Sequence, residues 1–156
     1  MTLELFLPDP AATDALAARF AASRPAAARV HLQGDLGAGK SSFARAFLRA
    51  LGVTGAIRSP TYTLVERYPL AGGGEALHLD LYRIGDAAEL EFLGIEAEPP
   101  ALWLIEWPER AASALPPADV QVALAIEGMG RRLRADAGSD TGTAWLSAVA
   151  SQTCGN

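Results

Sequence analysis

Apolar and polar residues follow two different periods in the first part of the chain, and these periods predict alternating strands and helices. Residues 3–7 alternate apolar and polar side chains, which is typical of a half-buried strand. Residues 9–23 have the composition of a helix, with Asp9 as its N-cap and Pro10 in its first turn. Residues 29–33 predict a second strand, so the first two strands are separated by a helix.

A second helix is predicted from Lys40 onward, directly after a glycine-rich turn. Its apolar residues fall on one helix face, and Gly52 ends the pattern. Downstream of this helix the pattern predicts mainly strands. The predicted segments are a hairpin of residues 61–68 and 76–82 around a glycine-rich tip, a short helix at 86–92, a strand buried on both faces at 101–105, a second hairpin of 119–126 and 131–136, and a last strand or short helix near 144–149.

Together these segments predict one α/β domain over residues 1–156, with three layers and a mixed parallel and antiparallel sheet. We expect the tail from about residue 150 to fray. The chain contains 50% apolar and 20% charged residues, which is typical of a globular domain. It has no apolar run long enough to span a membrane and no signal-peptide pattern, so a cytoplasmic location is expected.

The charge distribution excludes several functional classes. A net charge of −5 argues against a stand-alone nucleic-acid-binding protein, so any contact with RNA would depend on partners. Of the 13 basic residues, 12 are arginine and only Lys40 is lysine. An Asn-Lys-x-Asp guanine-recognition motif and a protein-kinase layout are therefore excluded, because both need a further lysine or a longer chain.

One segment matches the phosphate-binding pattern G-x-x-x-x-G-K-[ST] at every fixed position. It is Gly34-Asp35-Leu36-Gly37-Ala38-Gly39-Lys40-Ser41, and it lies between a predicted strand and a predicted helix. Its backbone N–H groups and the helix N-terminus favour phosphate oxygens. Lys40 would contact the β- and γ-phosphates, Ser41 would bind Mg²⁺ and Ser42 would contact the α-phosphate. The alternative is a glycine-rich turn that binds no ligand.

Two carboxylates stand at the ends of predicted strands, where parallel strands would bring them close to this loop. Glu106 follows an apolar run, as in a Walker B element, and is the candidate for the Mg²⁺ shell, directly or through water. A structural ion pair is the alternative for Glu106. Asp80 is the candidate for orienting metal-bound or attacking water, and its alternatives are a salt bridge with Arg83 or a turn cap.

Five segments, taken together and in order, closely resemble one known family. They are Gly34 to Ser41, Ser59-Pro60-Thr61-Tyr62-Thr63-Leu64-Val65-Glu66, His78-Leu79-Asp80-Leu81-Tyr82-Arg83, Glu89-Leu90-Glu91-Phe92-Leu93-Gly94-Ile95 and Ile105-Glu106-Trp107-Pro108. The chain resembles TsaE, formerly YjeE, the ATPase of tRNA threonylcarbamoyladenosine biosynthesis. The resemblance is thinner after residue 110. Ser41 stands where many members have threonine, which keeps the hydroxyl.

The resemblance implies a cytoplasmic bacterial protein with an α/β P-loop fold that binds and hydrolyses ATP with Mg²⁺. It also implies that the chain acts with the partner proteins TsaB and TsaD. These partners use a separately made threonylcarbamoyl-adenylate to modify adenosine 37 of tRNAs that read codons beginning with A. The chain would contact tRNA only through that complex, and its ATP cycle would support turnover. Residue by residue, the resemblance implies that Lys40, Ser41 and Glu106 occupy the family's nucleotide-binding and metal-binding positions. It implies that Asp80 occupies a functional acidic position of the family.

Further residues have both a functional and a structural interpretation. The resemblance implies that Thr13 and Arg131 border the adenine. Without the resemblance, the sequence indicates only a helix residue at Thr13 and a solvated charge in a hairpin at Arg131. Thr61 is either a sensor of the γ-phosphate in a switch-like loop or part of an ordinary proline turn. Trp107 lies either beside the nucleotide or a partner, or in the core.

The other candidates have less specific signals. His31 and His78 lie in predicted strands and are expected to be buried for structural reasons. Arg67 and Arg83 are possible contacts for a partner or for phosphate.

Two functions besides partner-dependent hydrolysis remain open from the sequence. A small-molecule kinase would use the same loop, but it usually needs a lid rich in basic residues, and the chain offers only residues 131–134 as such a cluster. A nucleotide-gated binding module would sense ATP without useful hydrolysis. The presence of both Asp80 and Glu106 favours hydrolysis.

Overall fold

The computed structural model describes residues 1–93 and 99–152, which form a seven-stranded sheet with three α-helices. The strands are β1 (Thr2–Leu7), β2 (Ala28–Gln33), β3 (Val65–Pro69), β4 (Glu75–Asp80), β5 (Leu102–Glu106), β6 (Val120–Glu127) and β7 (Gly130–Ala137). The helices are α1 (Pro10–Ala22), α2 (Lys40–Ala50) and α3 (Asp140–Ser151), and short 3₁₀ segments lie at Ala87–Leu93 and Pro108–Ala111.

The sheet is mixed, as the sequence predicts. Its strand order is β1-β7-β6-β2-β5-β4-β3. The four central strands β6, β2, β5 and β4 pair in parallel, whereas β1, β7 and β3 are antiparallel to their neighbours. The carboxyl ends of β2, β4 and β5 therefore meet at one edge of the sheet, where the glycine-rich loop joins β2 to α2.

All three α-helices pack on one face of the sheet. Their contact is built on four buried aromatic rings, Phe20, Phe43, Phe47 and Trp145, whose centroids lie 5.5–6.3 Å apart. The Trp145 indole N–H donates to the Phe20 carbonyl at 3.1 Å, so this large ring is buried without leaving its donor unpaired. The cluster fixes α2, and with it the start of the helix at Lys40, against α1 and α3.

The opposite face of the sheet is covered over only part of its width. Leu77, Leu79 and Ile105 form a second core cluster with the 3₁₀ segments and their neighbours. Over β1, β7 and β6 the same face is open, and Ala123 and Ala125 are exposed there. The predicted third layer thus consists of 3₁₀ turns and loops and lies over β3, β4 and β5.

Local structure departs from the sequence prediction at a few places. Residues 61–64 form a turn instead of the start of β3, because Leu64 takes a left-handed conformation with φ 67°. The last segment is a helix capped by Ser139, whose hydroxyl accepts from Gly142 N at 3.0 Å. The helix includes residue 150, where fraying was expected. Residues 153–156 of the predicted tail and residues 94–98 lie outside the described residues.

None of the helices within residues 1–93 and 99–152 is long and apolar enough to cross a membrane.

Candidate functional site

The glycine-rich loop takes a conformation that its glycines make possible. Gly34 has φ 145°, and a Cβ at this position would lie 2.4 Å from the Leu124 carbonyl oxygen. Gly39 has φ 108° and is the N-cap of α2. Side chains are strongly disfavoured at both points, so the backbone bends tightly and ends at the helix N-terminus. Backbone N–H groups at such a helix N-terminus favour an anion.

Lys40, at the first position of α2, folds back along this loop. Its Nζ donates to the carbonyl oxygens of Gly34 at 2.5 Å and Asp35 at 3.0 Å, and it lies 4.4 Å from the centre of the Trp107 ring. Burial lowers the pKa of Lys40, and the charges of Glu106, Asp80 and other acids offset only part of that shift. The ammonium thus lies within the loop, among acceptors that a phosphate group can replace.

The lowered pKa leads to a labelling prediction, because Lys40 and the chain's α-amino group are its two primary amines. A lowered pKa exposes the reactive neutral amine at a lower pH than in a free lysine, so Lys40 should acylate at mildly alkaline pH. Bound ATP should protect it, because the phosphates would hold the ammonium form. Peptide mass spectrometry measures both amines, and the α-amino group serves as the internal control. Equal labelling of Lys40 with and without ATP would contradict the predicted contact.

Ser41 and Glu106 meet at the bottom of the site. The Ser41 hydroxyl lies 2.9 Å from Glu106 Oε1 and 3.1 Å from Oε2. The second carboxylate oxygen also lies 2.5 Å from His78 Nε2. Glu106 is buried, with 2% of its surface exposed. The two residues predicted to hold Mg²⁺ therefore face each other and offer a hydroxyl and a carboxylate.

Asp80 stands beside Glu106, because the two residues are paired in the parallel register of β4 and β5. One Asp80 oxygen accepts the Tyr82 N–H at 3.0 Å, and the other accepts from the Thr61 hydroxyl at 3.4 Å. Asp80 therefore caps the turn that leads to Tyr82 and also lines the site. Arg83, the alternative salt-bridge partner, instead lies 4.6 Å over the Tyr62 ring.

These side chains surround a cleft of about 240 Å³ that opens onto the loop. Its lining residues are Leu36, Gly37, Gly39, Lys40, Ser41, Ser42, Thr61, Asp80, Tyr82, Glu106, Trp107 and Arg131. A neighbouring cleft of about 180 Å³ is lined in part by Thr13, Ala38, Gly39, Ser42 and Arg131. Arg131 borders both clefts and donates to the Gly37 carbonyl at 3.3 Å. Lys40, Ser41, Asp80 and Glu106 therefore line one cleft, Thr13 lines the neighbouring one, and Gly34 and Asp35 line neither.

Trp107 lies at the rim of the cleft. It adopts a left-handed conformation with φ 57° directly after Glu106, and its ring contacts Tyr82 at a centroid distance of 4.9 Å. A bulky residue with positive φ is uncommon and is often found at functional sites. The ring lines the cleft and also packs against the second core cluster, which contains Leu77, Leu79 and Ile105.

Comparisons with known proteins identify the family. The family described as "Threonylcarbamoyl adenosine biosynthesis protein TsaE" matches residues 7–133. The chain belongs to the TsaE family. Named relatives include the tRNA threonylcarbamoyladenosine biosynthesis protein TsaE of Haemophilus influenzae, 48% identical over 95 residues, which are 60% of each chain. Those of Synechocystis and Bacillus subtilis are 43% identical over 115 residues (70% of this chain, 72% of the relative) and 34% identical over 118 residues (74% and 73%).

A solved structure also resembles this fold. The crystal structure of YdiB from Bacillus subtilis superposes with a TM-score of 0.80 and covers 98% of this chain and 97% of its own, at 24% identity. The TsaE match contains the loop, Asp80, Glu106 and Arg131. It ends within β7, so α3 lies beyond it.

Two residues in contact with site residues, His78 and Tyr82, were not assigned to the site from the sequence. His78 was expected to be buried, and it is, but its Nε2 contacts Glu106. The period of two along β4 places His78 on the same face as Asp80, and this was the available signal. Tyr82 contacts Trp107 after a turn whose course the sequence does not reveal.

The remaining candidates lie away from the centre of the TsaE site. His31 is buried in β2, where burial lowers its pKa and a hydrogen bond to the Pro116 backbone favours its charged form. Arg67 forms an ion pair with Glu75 across the β3–β4 hairpin at 3.2 Å. His31 is thus buried, as predicted, whereas Arg67 is exposed and its contact with a partner or with phosphate stays a prediction.

Replacing Ser41 with alanine tests its predicted role as a metal ligand. The change removes the hydroxyl that faces Glu106, so we expect the Mg²⁺ concentration required for nucleotide binding to rise by about tenfold or more. Calorimetric titration of nucleotide at several Mg²⁺ concentrations measures this shift. Ser41→Thr keeps the hydroxyl and is the matched control. The same Mg²⁺ dependence in both variants would remove Ser41 from the metal shell.

Proposed function

We propose that this chain is a Mg²⁺-dependent ATP-binding and ATP-hydrolysing subunit required for threonylcarbamoylation of adenosine 37 in tRNA, acting with TsaB and TsaD. The observation that carries the proposal is the meeting of Lys40, Ser41, Asp80 and Glu106 at the glycine-rich loop. Relatives at 34–48% identity are named as tRNA threonylcarbamoyladenosine biosynthesis proteins. Such a role places the protein in the cytoplasm, and it would reach tRNA through the complex.

The phosphate end of ATP fits the loop. The N–H groups between Gly34 and Ser41 and the N-terminus of α2 provide fixed positive dipoles. Lys40 would exchange its two carbonyl acceptors for the β- and γ-phosphates, and Ser42 lies where it would contact the α-phosphate. The nucleoside would extend past Arg131 into the cleft that contains Thr13.

The donor set at the bottom of the cleft fits Mg²⁺. This ion prefers oxygen ligands and usually takes one or two from the protein, with the rest from phosphates and water. The Ser41 hydroxyl and the Glu106 carboxylate supply such oxygens at a mutual distance of 2.9 Å. When bound, Mg²⁺ neutralises charge on the β- and γ-phosphate oxygens.

Asp80 is the residue we assign to the attacking water. Its carboxylate lies beside Glu106 and accepts from Thr61, so it can accept a hydrogen bond from a water next to the γ-phosphate. Thr61 would then contact the same water on the side that faces the γ-phosphate. Hydrolysis by the chain alone is expected to be slow, and a group supplied by a partner would complete the charge stabilisation.

The decisive experiment compares ATP hydrolysis by the chain alone with hydrolysis by the chain plus TsaB and TsaD. We expect a slow basal rate that the partners raise, together with threonylcarbamoylation of tRNA that requires this chain. Asp80→Asn should abolish the stimulated rate while nucleotide binding persists. Phosphorylation of a metabolite without partners would identify a small-molecule kinase instead. Binding of ATP without any partner-dependent hydrolysis would identify a nucleotide-gated binding module.

A further inference from the structure

His78 and Glu106 form a buried contact that the proposed function does not use. His78 Nε2 lies 2.5 Å from Glu106 Oε2, and the two side chains are each 2% exposed. They come from adjacent parallel strands, β4 and β5, so the backbone fixes their separation. The contact also lies next to Ser41, which shares the same carboxylate.

We propose that His78 is a positioning residue, which donates its Nε2–H to Glu106 and thereby directs the other carboxylate oxygen toward Ser41 and the bound Mg²⁺. The proposal rests on the Mg²⁺-dependent function proposed above. His78 itself would touch neither the metal nor the nucleotide. Its effect would act through the orientation of one carboxylate.

Burial explains why Glu106 needs such a partner. A carboxylate removed from water is costly unless it is hydrogen-bonded, so it turns toward any donor within reach. The competing cation is Lys40, whose strongest charge interaction is with Glu106. Without His78, Glu106 would be free to turn toward Lys40, and this movement would withdraw both side chains from their predicted roles.

The hydrogen bonding of the second ring nitrogen indicates the tautomer. Among the described residues, His78 Nδ1 is buried and has no hydrogen-bond partner. An ionised carboxylate can only accept hydrogen bonds, so the ring nitrogen that faces Glu106 must be a donor. The proton therefore lies on Nε2, where Glu106 accepts it. In this tautomer the imidazole donates to Glu106 from Nε2 and thereby favours one orientation of the carboxylate.

The test measures Mg²⁺-dependent nucleotide binding in His78→Leu and His78→Gln by calorimetry. His78→Leu should raise the Mg²⁺ concentration required for nucleotide binding about 10- to 100-fold, the usual loss of metal affinity when a hydrogen-bond partner of a metal ligand is removed. Nucleotide binding in the presence of a chelator should stay unchanged. Glutamine can place its amide nitrogen where Nε2 was, so His78→Gln should recover most of the lost affinity.

His31→Leu is the matched control, because it removes the chain's other histidine, which is also buried in a strand but lies away from the site. It should leave the Mg²⁺ dependence at the wild-type value. Nitrogen-15 spectra of the wild-type protein provide a readout that needs no variant, and they should show His78 protonated on Nε2. This readout keeps the test valid even where His78→Leu does not fold.

Each result has a defined meaning. A wild-type Mg²⁺ dependence in His78→Leu, or an Nε2 without a proton in the wild-type spectra, would overturn the positioning role while ATP hydrolysis and the proposed function remained. Equal losses in His78→Gln and His78→Leu would also overturn it, since rescue by the amide is required. A wild-type protein that does not bind nucleotide with Mg²⁺ would overturn both proposals.

Discussion

Replacing Lys40 with methionine should reduce kcat/KM for ATP by about 100- to 1,000-fold, the usual loss when one charge-stabilising donor is removed from an active site. Methionine keeps much of the length and volume of the side chain but has no charge. The ammonium is placed to move from two backbone carbonyls onto phosphate oxygens. Since Lys40 is the chain's one lysine, no other lysine can compensate. Steady-state hydrolysis with partners and calorimetric nucleotide binding measure the loss.

Arg45→Met is the matched control for the lysine change. Arg45 lies in the same helix and is exposed, so its loss removes a positive charge of equal size away from the cleft. We expect near-normal nucleotide binding in this variant. If Lys40→Met and Arg45→Met reduced binding equally, the effect would come from general charge and Lys40 would have no special role.

Glu106→Gln should reduce Mg²⁺-dependent turnover by about 100- to 1,000-fold, with a much smaller change in nucleotide affinity. The amide is almost the same size as the carboxylate and can still accept from Ser41, but it has no charge to offer the metal. The loss should therefore concentrate in the chemical step. Single-turnover hydrolysis and nucleotide titration separate these two quantities.

The stability of this variant is part of the same prediction. Because Glu106 is buried against His78 and its charge acts on Lys40, its neutral replacement should leave the free energy of unfolding unchanged or lower it. Turnover is therefore compared at a temperature where circular dichroism shows both proteins to be folded. Glu109→Gln is the matched control: Glu109 is an exposed carboxylate three residues along the chain whose charge also acts on Lys40. Equal loss in both variants would exclude a specific metal role for Glu106.

Much of the fold was predictable because its elements follow strong local rules. The N-cap of α1, for example, is Asp9, whose side chain accepts from Ala12 N at 2.9 Å. The turn at residues 61–64 was not predictable, because it depends on the left-handed Leu64, whose N–H donates to the Pro60 carbonyl and whose carbonyl accepts from Asp80. The choice of helix for the last segment depends on packing of Trp145 against Phe20 and Phe47. Such tertiary contacts leave no local pattern in a sequence.

The part of the site that the motif specifies was predictable from the sequence. The part in which strand register determines which side chains meet was less predictable. The order of residues from Gly34 to Ser41 specifies the loop on its own. The meeting of Asp80 with Glu106 instead depends on β4 and β5 being parallel neighbours. The contact of His78 with Glu106 depends on the same register together with the side of the strand. The sequence contains the period of two but does not state which strands are adjacent.

The close packing of Gly34 against the Leu124 carbonyl has a consequence for the entropy of binding. The start of the loop is held by β6, and the Lys40 side chain ties its end back to Gly34 and Asp35. Ordering a backbone costs about 1–2 kcal/mol per residue. In this protein that ordering occurs during folding, before any nucleotide arrives. The free energy of the proposed phosphate contacts would therefore contribute to affinity and would not be spent on ordering the loop.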